Sequence, residues 1–354
     1  MKSGIEDALI TPNERILVTG SPGFIGLRVV ESLLTRGYRN LRCLVRPSSE
    51  LRKLEELVAR HGAAHSVEVV PGNLLSVPDC ARAVRDIKVI YHLAAGRSDM
   101  FADAFMNSAV STRNLLRATL EQGGLKRLVN VSSFSVYSNR NKAKRRLLDE
   151  SCPLEHDPAE RGDPYMFGKA KQDEIVIEYG KRGVPYVIVR PGFVYGPGND
   201  TITNRVGIGT FGVFLHLGGS NPVPLTYVDN CADAIVLAGL RPGIDGEVFN
   251  IVDDDLPSSR RFLRLYKKNV RRFASIYIPH FASYALCCAW GWYSRWSQGQ
   301  LPPAFNWRGW HAFWKKTYYS NAKAKRLLGW TPSVPSGEAL SRYFAGCREK
   351  TRHA

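Results

Sequence analysis

At 354 residues and 44% hydrophobic, the chain can bury one large core or two modest ones, and its composition excludes disordered and fibrous classes. Seven cysteines, an odd number with no Cys-x-x-Cys pair, exclude a disulfide framework; with no apolar signal segment in Met1 to Asn13, a reducing cytoplasmic location is expected. The net charge of +17 is uneven, since 18 of 49 Lys/Arg but only 2 of 32 Asp/Glu lie from Pro257 onward, together with all seven tryptophans.

Ile16–Thr19 is a short β-branched run and reads as a buried parallel strand. Phe24 to Arg36 then shows apolar residues at helical spacing. Between them lies Thr19-Gly20-Ser21-Pro22-Gly23-Phe24-Ile25-Gly26. Gly20 permits a tight turn, Gly23 lets the backbone approach a pyrophosphate, and Gly26 lets the helix pack on the strand. Phe24, Ile25 and Gly26 open the helix, whose free N–H groups suit phosphate charge. The next strand, Leu41–Val45, ends at Arg46. An acidic residue there would bind the ribose hydroxyls of NAD, whereas a guanidinium suits the 2′-phosphate of NADP. NADP is therefore the favoured cofactor and NAD the alternative.

Val67–Val70, Val89–Leu93, Leu128–Ser132 and Tyr186–Arg190 continue the strand series, with helices between most of them. The pattern predicts an α/β fold, a doubly wound parallel sheet over 1–190, and becomes irregular over 191–354. The strand ending in Ser132-Ser133 delivers hydroxyls to the carboxyl edge of the sheet, where open α/β folds bind ligands. Asn139 to Glu160 reads as a polar loop with a basic knot at Lys142, Lys144, Arg145 and Arg146. Tyr165 and Lys169 stand four residues apart on a predicted helix over 165–181 and so share a face. A phenol has an ordinary pKa of about 10, and a neighbouring ammonium favours the phenolate needed for proton transfer.

Together these motifs resemble the extended short-chain dehydrogenase/reductases, the NAD-dependent epimerase/dehydratase family. The likeness runs nearly end to end, through Tyr91-His92-Leu93-Ala94-Ala95, Arg190-Pro191-Gly192-Phe193-Val194-Tyr195-Gly196-Pro197-Gly198, Tyr227-Val228-Asp229-Asn230 and Leu328-Gly329-Trp330-Thr331-Pro332. It implies that Tyr165 is the acid/base, Lys169 its partner and Ser133, rather than Ser132, the third catalytic member. It also implies that Asn73 and Leu74 meet adenine, that Leu93, Ala94 and Ala95 line the adenosine side, and that Pro191, Gly192 and Val194 line the nicotinamide side. Departures narrow the chemistry. Gly72-Asn73-Leu74 stands where the family often has Gly-Asp-Leu, and Phe134-Ser135 stands where dehydratases carry Asp-Glu, so water elimination is disfavoured.

The expected function is hydride transfer at a secondary alcohol or ketone. A nucleotide sugar is the first expectation. A steroid-like or lipid-linked substrate is the alternative, because Leu44-Val45-Arg46-Pro47 and Thr226-Tyr227-Val228-Asp229-Asn230 are similar to the 3β-hydroxysteroid dehydrogenase and dihydroflavonol reductase branch. A non-catalytic NADP-binding sensor is the reading of another class. The resemblance implies that 191–354 forms mainly a smaller, discontinuous substrate lobe with some segments returning to the dinucleotide-binding domain, and it implies a homodimer through helices flanking the sheet. No metal is expected, since the eight histidines show no ligand spacing beyond His61 and His65. No nucleic-acid motif accompanies the basic tail.

Asp229 to Leu240 reads as a helix and Glu247 to Val252 as a strand. Arg272 and Arg295 then enclose 22 uncharged residues, 273–294. Their aromatic content and basic flanks suit peripheral contact of the segment 257–320 with an anionic membrane at the inner face; spanning and plain packing are the alternatives.

Overall fold

The computed structural model describes residues 8–96, 98–140, 147–199, 201–210, 212–298, 300 and 305–353. The first half runs β1 (Ile16–Thr19), α1 (Phe24–Thr35), β2 (Leu41–Val45), α2 (Arg52–Arg60), β3 (Val67–Pro71), α3 (Val77–Ala83), β4 (Val89–His92), α4 (Phe101–Phe105), α5 (Ser111–Gln122), β5 (Arg127–Val131), β6 (Leu147–Leu148), α6 (Pro164–Lys181) and β7 (Tyr186–Pro191). The rest runs β8 (Phe193–Tyr195), β9 (Gly207–Thr210), β10 (Val213–His216), β11 (Leu225–Tyr227), α7 (Val228–Leu240), β12 (Val248–Ile251), α8 (Ser259–Asn269), β13 (Ser275–Tyr277), α9 (His280–Trp296), α10 (Trp307–Phe313), β14 (Tyr318–Tyr319) and α11 (Ser336–His353).

Seven strands form one sheet in the order β12-β7-β5-β4-β1-β2-β3, every neighbouring pair parallel. β1, β2, β4 and β5 are buried along their whole length, which is why they read as mainly apolar runs rather than as alternations, with Arg42, His92, Arg127 and Asn130 buried among them. Successive residues still face opposite layers. Ile16 and Val18 pack with α1, α2 and α7, while Leu17 packs with α3, α5 and α6. Each such fully buried Leu or Val contributes about 1.5–3 kcal/mol of transfer free energy. The chain order reverses between β1 and β4, so a crevice opens at the carboxyl ends of those strands.

β12 follows the lobe strands yet completes the sheet beside β7, and α7 packs on α1. The lobe holds a three-stranded sheet, β13-β10-β9, and an aromatic core in which Tyr195, Phe262, Tyr266, Tyr343 and Phe344 pack together.

Two regions depart from the sequence reading. Within the expected polar loop 139–160, Leu147–Leu148 pairs in parallel with Tyr318–Tyr319, a contact between segments far apart in the chain; the basic knot at Lys142, Lys144, Arg145 and Arg146 lies outside the described residues. The uncharged run 273–294 is not one helix. Its start pairs with the edge of β10 as β13, and α9 begins only after Pro279. Among the described residues, no helix is long and apolar enough to cross a membrane, which removes the spanning alternative for this segment.

Candidate active site

The glycine loop leaves the end of β1. Gly20 takes a φ of +72°, and a side chain there would press to 2.9 Å from the backbone nitrogen of Ala94. A Cβ on Gly26 would run into the carbonyl oxygen of Gly20. The turn closes by a hydrogen bond from Gly23 N–H to that same carbonyl, 3.1 Å. Gly23 then N-caps α1 with no side-chain cap, so the first-turn N–H groups and the positive end of the helix dipole remain available to an anion. A backbone cradle too close for any side chain, facing an uncapped helix start, fits a dinucleotide pyrophosphate.

Arg46 stands exposed at the end of β2 and donates to Asn107 Oδ1 at 3.2 Å. Asn73 is held differently from a free adenine ligand. Its Oδ1 accepts the Leu75 N–H at 3.0 Å, and its own N–H donates to Asp79 at 2.8 Å. That backbone bond, more than any other favourable contact, holds the Asp79 carboxyl below its ordinary range.

The residues expected to carry proton transfer come from two elements. Asp163 accepts the Met166 N–H at 3.0 Å and Pro164 occupies the first helical position, which places Tyr165 in the first turn of α6. Lys169 follows one turn later and is 3% exposed. Its Nζ donates to the Val131 carbonyl at 2.5 Å and to Gln172 Oε1 at 2.9 Å. The ammonium is thus tied to the end of β5, two residues before Ser133. Ser133 Oγ accepts the Ser135 N–H at 3.1 Å, leaving its own proton to donate. Ser132, by contrast, is buried and donates to Asp173 at 2.9 Å.

Asp173 also receives Asn130 Nδ2 at 3.0 Å and Arg190 through Nε at 3.2 Å and Nη2 at 3.0 Å. Burial pushes its carboxyl up, while Arg190 and Ser132 oppose that shift. Four donors around one buried carboxylate favour the ionised pair.

A second buried chain starts at Gln172, whose Nε2 donates to Thr112 Oγ1 at 2.8 Å. Thr112 gives its only hydroxyl proton to Ser108 O at 2.6 Å, so it must accept from His92 Nε2 at 2.8 Å. His92 Nδ1 then accepts from Thr19 Oγ1 at 2.8 Å, one residue before Gly20. The tautomer follows from this donor balance. Burial, aided by the Lys169 charge, pushes the imidazole down to about 3, so the ring stays neutral. One polar chain therefore links Lys169 to the glycine loop.

The glycine loop, Arg46, Asn73, Ser133, Tyr165 and Lys169 border one cleft of about 1140 Å³, with the buried polar chains behind them. Every expected catalytic and cofactor residue lines it, Arg46 and Asn73 included. Phe134, Phe193, Ile202 and Phe313 also line it, as do Asn199, Thr203 and Arg205. Gln172, Thr112, His92 and Asp173 were not among the expected site residues; of these, Gln172 and Asp173, three and four residues after Lys169, carried a spacing signal. Among the described residues, no group of three or more His, Cys, Asp or Glu could hold a metal ion.

Residues 16–251 match the model of the NAD dependent epimerase/dehydratase family. The chain belongs to this family. It is an enzyme fold of the extended short-chain dehydrogenase/reductase kind, among NAD-dependent epimerases, dehydrogenases and dehydratases. Over 354 residues it is 26% identical to a 3-beta-hydroxysteroid dehydrogenase of Mycolicibacterium neoaurum, spanning 95% of this chain and 92% of that protein. It is likewise 26% identical over 344 residues to a decarboxylating sterol-4-alpha-carboxylate 3-dehydrogenase of Candida albicans, spanning 91% and 94%. UDP-glucuronic acid 4-epimerase of Bacillus cereus, solved with UDP-glucuronic acid and NAD, superposes with a TM-score of 0.70 at 22% identity, covering 95% of this chain and 99% of that one.

Proposed function

We propose that the protein is an NADP-preferring oxidoreductase that interconverts a secondary alcohol and a ketone on a steroid-like or lipid-linked substrate. The observation that carries the substrate class is that Phe134, Phe193, Ile202 and Phe313 line the same cleft as Ser133 and Tyr165. The nicotinamide cofactor, when bound, supplies the hydride acceptor and donor. The glycine loop and the start of α1 hold its pyrophosphate, and Arg46 receives a 2′-phosphate through its fork of N–H donors. Ser133 donates a hydrogen bond to the substrate oxygen, and Tyr165 takes or returns that oxygen's proton. Lys169, anchored to Val131 and Gln172, holds positive charge near the phenol.

A nucleotide-sugar reading is favoured by a different set of lining groups, Asn199, Thr203 and Arg205, which suit hydroxyls and phosphate. Anaerobic hydride transfer, followed by cofactor absorbance, separates the two. A 3β-hydroxysteroid or long-chain secondary alcohol is expected to react and UDP-glucuronate to stay inert; the reverse pattern overturns the substrate class. Cofactor binding without hydride transfer from any alcohol or to any ketone would instead favour the sensor reading. Arg46→Asp is expected to reverse the order of NADP and NAD affinities.

A homodimer through the helices flanking the sheet belongs to the same reading. Exposed Phe101 and Phe105 beside Phe167 of α6 support it, and light scattering of the purified chain tests it.

A further inference from the structure

We propose that the outward face of α9 docks the enzyme on an anionic lipid surface. The face itself is the first argument. The fully buried positions of this 17-residue helix are Ser283, Cys287 and Ser294, whereas Phe281 is 79% exposed, Leu286 62%, Trp292 63% and Trp296 68%. Tyr284 and Tyr293 are exposed as well. A helix at an aqueous surface does the opposite, burying its large apolar side chains and exposing its small polar ones. Ile276 and Tyr277 of β13, immediately upstream, extend the exposed apolar surface. A contiguous patch of this kind marks an interaction site.

Charge selects the partner. No Asp or Glu occurs between Pro257 and Gly337. Arg264, Lys268, Arg271, Arg272 and Arg295 are all exposed around or upon the same segment. Tryptophan and tyrosine rings amid basic side chains match the headgroup layer of an anionic bilayer, where rings enter the acyl boundary and cations stay with phosphate. A second copy of this chain would set like charges against each other across the same face.

The rest of the lobe ties this face to the cleft. Ser283 accepts the Trp310 indole N–H at 2.9 Å, and the Tyr284 ring meets Trp310 edge-on at 4.9 Å. Trp310 belongs to α10, whose last residue, Phe313, lines the cleft. The bilayer contact is thus joined to the cleft lining through α10. The inference concerns a partner and needs no assumption about the reaction.

The test uses the purified full chain and flotation with phosphatidylcholine vesicles, with and without phosphatidylserine. The chain is expected to float with the anionic vesicles and to dissociate as salt is raised. The variant F281S/W292S/W296S is expected to lose at least roughly a hundredfold in partition, at about tenfold or more for each large side chain withheld from the acyl boundary. R271Q/R272Q/R295Q is expected to lose roughly fivefold per charge on anionic vesicles only. Thermal unfolding without lipid, unchanged in both variants, shows that the fold survives. Absence of flotation of the natural chain, or equal flotation of the triple aromatic variant, overturns the proposal. So does a lipid-free dimer that the aromatic variant abolishes, since the face would then belong to a second copy. Neither cofactor nor substrate enters the assay, so its failure leaves the proposed function standing.

Discussion

The helices α6 and α9 are nearly equal in length and treat side chains in opposite ways. α6 buries Lys169, Gln172 and Asp173, groups that usually face water, and each is met there by fixed partners. α9 buries serines and a cysteine and turns phenylalanine, leucine and tryptophan outward. Each inversion costs free energy in isolation. In α6 the cost is offset by hydrogen bonds to β5, β7 and α5, so that helix is defined by the interior. In α9 Ser283 and Cys287 find partners in α10, but the exposed Phe281, Leu286, Trp292 and Trp296 remain turned to the outside, so that face is explained by what lies beyond the molecule. A polar residue indoors and an apolar residue outdoors are the two informative kinds of misplacement, and here they fall on the chemistry and on the surface respectively.

The contrast can be broken at several points. The largest effect is expected from Tyr165→Phe, which keeps the ring and removes the proton carrier; turnover should fall by about 10²–10⁴ while cofactor affinity, read by titration, stays within twofold. Next comes Arg190→Met, which leaves Asp173 buried without its counter-ion. Denaturant unfolding should show a loss of about 3–5 kcal/mol, and the double variant with Asp173→Asn should lose less.

Acid should then separate wild type from His92→Asn. The unfolded imidazole takes up a proton near its ordinary value of about 6.5, whereas the buried ring resists down to about 3. Its contribution is therefore complete above pH 6.5 and lost as pH falls toward 3, about 2 kcal/mol of it by pH 5. His216 and His311, each pushed down to about 4 by burial, act in the same direction. Asp253, pushed up to about 6 by burial, acts against them, losing stability as pH rises through that range. The difference between the two proteins, rather than either curve alone, therefore reads His92. The smallest effect is expected from Trp292→Ser, within about 0.5 kcal/mol of wild type in lipid-free unfolding. A large loss there would show that α9 is held by the interior after all, and the comparison would fail.

What could be read from the sequence was local. Ile16–Thr19 and the glycines after it announce strand, turn and helix within a dozen residues, and the Tyr165/Lys169 spacing follows from helical pitch alone. Strand ends moved by a residue or so, as at Arg127–Val131 against the expected 128–132. The rest depended on meetings across the chain. The two serines look alike in sequence, yet only Ser132 meets Asp173, 41 residues away. The His92–Thr112–Gln172 chain joins three elements that no periodicity relates. Residues 273–294 read as one uncharged stretch because the edge of β10, which turns its start into a strand, lies some sixty residues earlier.

The placement of β12 also governs how the protein must be made. The edge strand of the main sheet and the helix that covers β4, β5 and β7 both come after the strands β8 to β11. A nascent chain emerging from the ribosome therefore holds β7 with a bare edge, and Arg127 without the Asp245 carboxylate it pairs with at 2.7 Å, until translation has passed residue 251. Completion of the main sheet is thus delayed while the chain between Pro191 and Ile251 is made, an interval in which the edge of β7 stays unpaired.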